Sequence, residues 1–341
     1  MGNELPNRET NSLRLVAPAC RALLLILSVA GIATYMLPAA HEAPSDEELR
    51  VQARIGLRQM MDGELGGAIR VFQDIQKVDP SSPLGYMLEA DTLWWRIYYS
   101  TANLIDPDVF ITTERPTTHD APFEKLLQSA IAKSEARIKA NQEVARSCLY
   151  QGMAYGLRGR LAALRNRSLP TARAAKKMRS LLLRALELDS SLIDAYAGVG
   201  NYNYFVDTLS AIVKILGFFI GLPGGNRLEG LKQLQLSAER GDLARPEAKF
   251  YLAKNYSRPN ERQYARSLRL FQELEGEYPN NPLWPMMIAS LHCRLGRTAP
   301  CESGYRSVLT RTAGKEHEVQ QALHRAARTA LQRMHPQDKI D

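Results

Sequence analysis

His317-Glu318-Val319-Gln320-Gln321 falls one residue short of a zinc-helix signature. HExxH puts two imidazoles one helical turn apart so that both reach one metal; here Gln321 stands where the second would be. His317 and His324 share a helix face, but no third ligand accompanies them, and they read as surface residues of the last helix. His41, His119, His292 and His335 are scattered. Gly221-x-x-Gly224-Gly225 lacks the Gly-Lys-Ser/Thr of a phosphate-binding loop and follows a helical run, not a strand. The helix start at Asn226-Arg227 could at most hold an anion. There is no Gly-x-Ser-x-Gly elbow, and the acidic residues fall at the helical spacing of solvated faces. These residues make no catalytic constellation and imply no metal and no cofactor. The expectation is a binding protein rather than an enzyme.

The four cysteines are Cys20, Cys148, Cys293 and Cys301, with no CxxC pair. Cys293 and Cys301 flank the turn from Arg294 to Pro300. Two alternatives stand: a disulfide in an oxidising compartment, or two small packing residues. Cys148 is expected buried and unpaired. Cys20 precedes the apolar segment and is not placed like a lipoprotein cysteine.

With 341 residues, 45% of them hydrophobic and 23% charged, the chain can bury a sizeable core. Its net charge of +8 favours acidic partners or anionic surfaces without specifying a fold. Residues 1–43 read as a targeting segment. Arg8, Arg14 and Arg21 precede the apolar run Ala22 to Leu37, and Pro38-Ala39-Ala40 and a polar stretch follow. Whether it is cleaved or kept as a signal anchor stays open. Either way the arginines stay cytoplasmic and the body lies across the membrane, periplasmic or extracytoplasmic. A buried N-terminal helix is the remaining alternative.

From Ser45 onward the periodicity is helical, and the fold class expected is all-α. Phe271 and Leu274 precede the stop Tyr278-Pro279-Asn280-Asn281-Pro282, and Tyr305 and Val308 stand 34 residues later. Gly56, Ala68, Phe72, Ile75 and Pro80 keep the same register, as do Tyr86, Ala90 and Leu93. Cys148, Gly152 and Tyr155 open a third unit, Tyr196, Val199 and Gly200 a fourth, Tyr251 and Leu252 a fifth, and Trp284 and Ile288 a sixth. Small residues let paired helices approach, the large residue after them fills the gap to the next pair, and Pro or Asp-Ser-Ser ends the second helix. In this register the chain resembles the tetratricopeptide repeat (TPR) superfamily. The resemblance implies a superhelical solenoid of about six hairpins over residues 44–341, closed by a capping helix from Val319 to Met334. It departs from the pattern in carrying tyrosine where tryptophan is usual, and in insertions near 103–122, 165–171 and 202–231.

The third insertion contains the apolar stretch Leu209 to Leu222, too short to span a bilayer. It is either a buried extra helix or one that docks on a membrane or a partner. Around it, Gly200, Asn203, Tyr204, Gly225, Asn226, Arg227, Gly230 and Leu231 resemble a pattern found in certain bacterial TPR proteins and in a eukaryotic TPR family linked to the outer mitochondrial membrane.

In TPR proteins the first helix of each hairpin lines a concave groove where partners bind. The resemblance therefore nominates Met87, Asp91, Trp94 and Trp95, then Asn201, Tyr204 and Phe205, then Tyr256 and Arg294. Separately, no acidic residue lies between Glu143 and Glu187, where ten cations stand: Arg146, Arg158, Arg160, Arg165, Arg167, Arg173, Lys176, Lys177, Arg179 and Arg184. Such a stretch suits anionic lipid or an acidic protein, or is a solvated basic face; nucleic acid is not expected for an exported body. The function expected is a protein-binding scaffold at a bacterial cell envelope, with a protein or peptide in the groove. The alternative is a membrane-surface protein docking through residues 209–222 and the basic stretch 146–184.

Overall fold

The computed structural model describes residues 45–101, 103–104, 112–209, 221–315 and 317–337. The targeting segment and almost all of the apolar stretch 209–222 lie outside them. Among the described residues there are thirteen helices and no strand. They are α1 Asp46–Met61, α2 Leu65–Val78, α3 Leu84–Thr101, α4 Asp120–Lys139, α5 Val144–Leu164, α6 Ser168–Leu188, α7 Ala195–Thr208, α8 Arg227–Arg240, α9 Arg245–Ser257, α10 Tyr264–Glu277, α11 Leu283–Arg294, α12 Thr298–Thr312 and α13 Glu318–Met334. Each helix packs on its sequence neighbour, giving six helical pairs and one last helix in a repeat-like all-α fold.

Local chemistry sets the boundaries. Ser45 opens α1 with a reciprocal capping box: its Oγ accepts the Glu48 N–H, and the Glu48 carboxylate accepts the Ser45 N–H. Three pairs share one tight turn, with residues 62–64, 165–167 and 295–297 between helices. Its middle residue takes a positive φ in every case, at Gly63 (88°), Asn166 (57°) and Gly296 (69°). Glycine or asparagine is what that conformation favours. The second connection is shorter than the loop expected over 165–171, because Pro170 fits within the first turn of α6, where its missing N–H costs nothing. Asp79 and Asp189 end the second helices of two pairs, each accepting the N–H of the serine two residues on, at 2.9 Å.

Pairs are held by small residues meeting large ones. An ideal Cβ on Gly56 would come within 2.7 Å of Phe72, and one on Gly152 within 2.8 Å of Leu182. Phe72, Phe271 and Tyr305, the large residues of the repeat register, are all buried.

The chain also packs on itself over long sequence distances. Arg54 Nε donates to Asp242 Oδ1 at 2.7 Å, and Arg50 pairs with the same carboxylate. Asp62 accepts the Asn280 N–H at 2.9 Å, and Asn281 Nδ2 donates to Met61 O at 2.8 Å. The last helix, α13, packs on α3. The first pair is thus fixed to turns 188 to 220 residues away, and one core cluster runs from Leu49 to Leu331.

Candidate interaction surfaces

The nine nominated groove positions do not share one accessible face. Met87, Asp91, Trp94 and Trp95 on α3 are buried, as are Tyr204 and Tyr256. Asn201 and Arg294 are half-buried, and Phe205 is 37% exposed. The reason is aromatic. Trp95 reaches across to Phe250 of α9 at 5.0 Å between ring centroids, and Phe250 meets Trp284 of α11 at 6.1 Å. Tyr98 and Trp95 stack edge-on at 5.6 Å. The first helices of the second, fifth and sixth pairs bury one another's rings, filling the face that the resemblance left open for a partner.

Polar groups are sealed inside with these rings. Arg160 of α5 grips Glu247 of α9 with two hydrogen bonds, at 2.5 and 3.1 Å, and lies 4.6 Å over the Tyr251 ring. Asp91 sits 4.0 Å from the same guanidinium, and its Oδ1 has no hydrogen-bond partner. Burial, with the Glu247 charge nearby, holds the Asp91 carboxyl well above the usual carboxylate range against the pull of Arg160. Two acids share one guanidinium here, so the cluster favours keeping a proton on Asp91.

The basic stretch also divides. Arg165 is buried and holds Asp120 at 2.6 Å, while Arg158 pairs with Glu124 at 2.7 Å and Arg146 with Asp46 and Glu143. With Arg160 these are structural cations, neutralised by acids brought from other helices. Arg184 pairs with Glu187 on its own helix. Arg179 stacks 5.5 Å over the Tyr202 ring. Arg167, Arg173, Lys176 and Lys177 stay exposed, with no ion-pair partner among the described residues.

The residues resembling the bacterial and mitochondrial pattern are an assembly device for α7 and α8. Gly200 and Gly230 lie against each other, an ideal Cβ on either coming within 2.8 Å of the other's carbonyl oxygen. Asn203 Nδ2 donates to Gln233 Oε1 at 2.8 Å, and Tyr204 and Leu231 are buried. Gly225 closes on the Asn203 carbonyl. Asn226 caps α8 by accepting the Glu229 N–H at 3.0 Å, and Arg227 pairs with Glu261 at 2.6 Å. With its capping oxygen occupied by Glu229, this helix start is a structural cap.

Cys293 and Cys301 meet as a disulfide with Cα atoms 5.1 Å apart, across the turn between α11 and α12. Cys148 is free and buried. His324 Nδ1 lies 2.9 Å from Thr312 Oγ1, and His317 is exposed.

A surface groove of about 560 Å³ runs over α8, α9 and α10. Ala238, Leu252, Tyr256 and Leu270 form its apolar part. Lys249 is tied to Glu277 at 2.7 Å and to Glu273 at 2.9 Å, and Arg245 to Glu277 at 2.6 Å. On the rim, Arg266 lies 5.8 Å over the Tyr256 ring and donates to Gln263 Oε1 at 2.8 Å, while Arg269 is exposed with no ion-pair partner among the described residues. Of the nominated residues, Tyr256 lines this groove and Arg294 a smaller pocket of about 190 Å³ beside the disulfide. The others of the larger groove escaped the sequence analysis because they come from three helices with unrelated registers.

No protein-family model matches the chain, and no curated protein matches it in sequence.

Proposed function

We propose that this chain is a scaffold of the TPR type that binds another protein at a cell envelope, with its partner in the groove of α8, α9 and α10, which takes in Tyr256 of the nominated first-helix positions. The observation that carries this is the combination in that groove: an apolar floor of Leu252, Tyr256 and Leu270 beneath two exposed arginines, Arg266 and Arg269, neither of which forms an ion pair among the described residues although Glu239 and Glu273 also line the groove. An amphipathic segment with an acidic edge would bury its apolar side on that floor and pair with the rim. The 34-residue register of Phe271 and Tyr305 supports the repeat assignment. The Cys293–Cys301 geometry supports an oxidising compartment, in keeping with export behind the apolar run Ala22 to Leu37.

The experiment is in-cell photo-crosslinking from Gln235 on the groove edge, with and without Arg266→Glu and Arg269→Glu. A discrete protein adduct from the parent that the folded double variant loses is the expected result. Adducts that are diffuse, or unchanged by the double variant, remove the groove from consideration.

A further inference from the structure

The exposed stripe of α6 carries Leu169, Arg173, Lys176, Lys177 and Ser180, at the spacing that puts them on one helical face. Leu169 is 45% exposed, beside Pro170. None of the three cations has a carboxylate within ion-pair distance among the described residues. This is unusual within the same stretch of chain, where Arg146, Arg158, Arg160 and Arg165 each receive an acid from another helix. The neighbouring helix α5 has no acidic residue at all to offer.

A second observation bears on the occupant. At Gly221, which follows a nearly all-apolar sequence, the chain runs beside this stripe: an ideal Cβ there would lie 3.1 Å from Lys176 Nζ. An exposed leucine beside a row of cations that form no ion pair among the described residues fits an anionic lipid surface better than a protein partner. The cations meet phosphate headgroups, and Leu169 reaches the level of the acyl boundary.

We infer that the α6 stripe of Arg173, Lys176 and Lys177 docks on an anionic membrane surface. It shares no residue with the groove on α8–α10, so either assignment stands if the other fails.

The test is vesicle partition of the full-length protein, comparing phosphatidylcholine alone with phosphatidylcholine mixed with phosphatidylglycerol at low salt. Each surface cation contributes about fivefold to such partition, so the anionic lipid should raise binding of the parent by on the order of a hundredfold. Charge reversal by Arg173→Glu, Lys176→Glu and Lys177→Glu should abolish that rise and leave binding to phosphatidylcholine unchanged. A matched reversal at exposed cations elsewhere, Lys125→Glu, Arg240→Glu and Arg325→Glu, should retain most of it. No anionic preference in the parent, or equal loss in both triple variants, overturns the inference. The second outcome would mean that net charge acts, not this face. Should the α6 reversals prevent folding, acetylation of the parent decides. Anionic vesicles should shield Lys176 and Lys177 and not Lys125, and unshielded lysines overturn the inference equally.

Discussion

The Asp194 carboxylate accepts the backbone N–H of Asp242 at 2.7 Å, and those of Leu243 and Ala244 at 3.0 and 3.1 Å. One buried acid at the start of α7 thereby shapes the turn whose own carboxylate, on Asp242, anchors Arg50 and Arg54 of α1. Asp194→Ala should cost about 3 kcal/mol, because two buried amides and one part-buried amide lose their acceptor together. Equilibrium urea unfolding reads that loss. Hydrogen exchange should report faster opening of α1 as well as of the turn, which a purely local role for Asp194 would not produce.

Two acids give opposite pH dependences. Burial would raise the Asp242 pKa, but the hydrogen bonds from Arg54 and Arg50 outweigh it and hold the group below its ordinary value. Its contribution to stability is present above the unfolded-state pKa and is lost as pH falls through the folded one. Asp91 is raised, so its contribution is full below the unfolded-state pKa and is lost as pH rises through the folded one. Asp91→Asn should therefore match the parent in acid and exceed it in stability at neutral pH, the gap widening as pH rises. Thermal melts across that range check the sign, and a constant gap would mean that Asp91 is ionised in the folded protein.

Glycine has two opposite roles here. Gly230→Ala should destabilise by about 2 kcal/mol, because the new methyl would sit 2.6 Å from backbone atoms of Gly200 and Tyr204, which can yield only if the helices part. Gly276 in α10 has nothing within 4 Å of an ideal Cβ, and Gly276→Ala should stabilise by about 0.5 kcal/mol through helix propensity alone. Paired denaturant titrations give both signs.

The Cys293–Cys301 bridge closes a short loop, with a sequence separation of 8. Peptide mapping without reductant should recover the two cysteines linked and Cys148 free. Cys293→Ser should lower stability by about 2 kcal/mol under oxidising conditions and change little under reducing ones, the expected loss for a loop of this size.

The all-helical class, and many of the helix ends, were legible because they are written locally. Ser45 caps α1, Asp79 and Asp189 mark stops, and Phe72, Phe271 and Tyr305 recur in register against small partners. The burial of the inner face was not legible, for a reason equally physical. Trp94 and Trp95 look alike in sequence whether they await a partner or meet Phe250. What decides between these is closure of the chain through Arg50, Asp62 and α13, and no periodicity encodes contacts between residues so far apart. The basic stretch divides for the same reason, since Glu247 and Asp120, which neutralise Arg160 and Arg165, lie on other helices, while Arg173, Lys176 and Lys177 stay exposed. The groove on α8–α10 exists only once three helices are assembled.

Packing of α13 against α3 has a consequence for how the chain is made. In an open array each repeat leans only on its neighbours, so the first repeats mature while the rest are still being synthesised. Here the inner rings of α3 find Phe250, and α3 its last neighbour, only after nearly the whole polypeptide has emerged. Until then α3 lacks the ring of Phe250 and the packing of α13. The contacts that close the first pairs are therefore supplied by the parts of the chain made last.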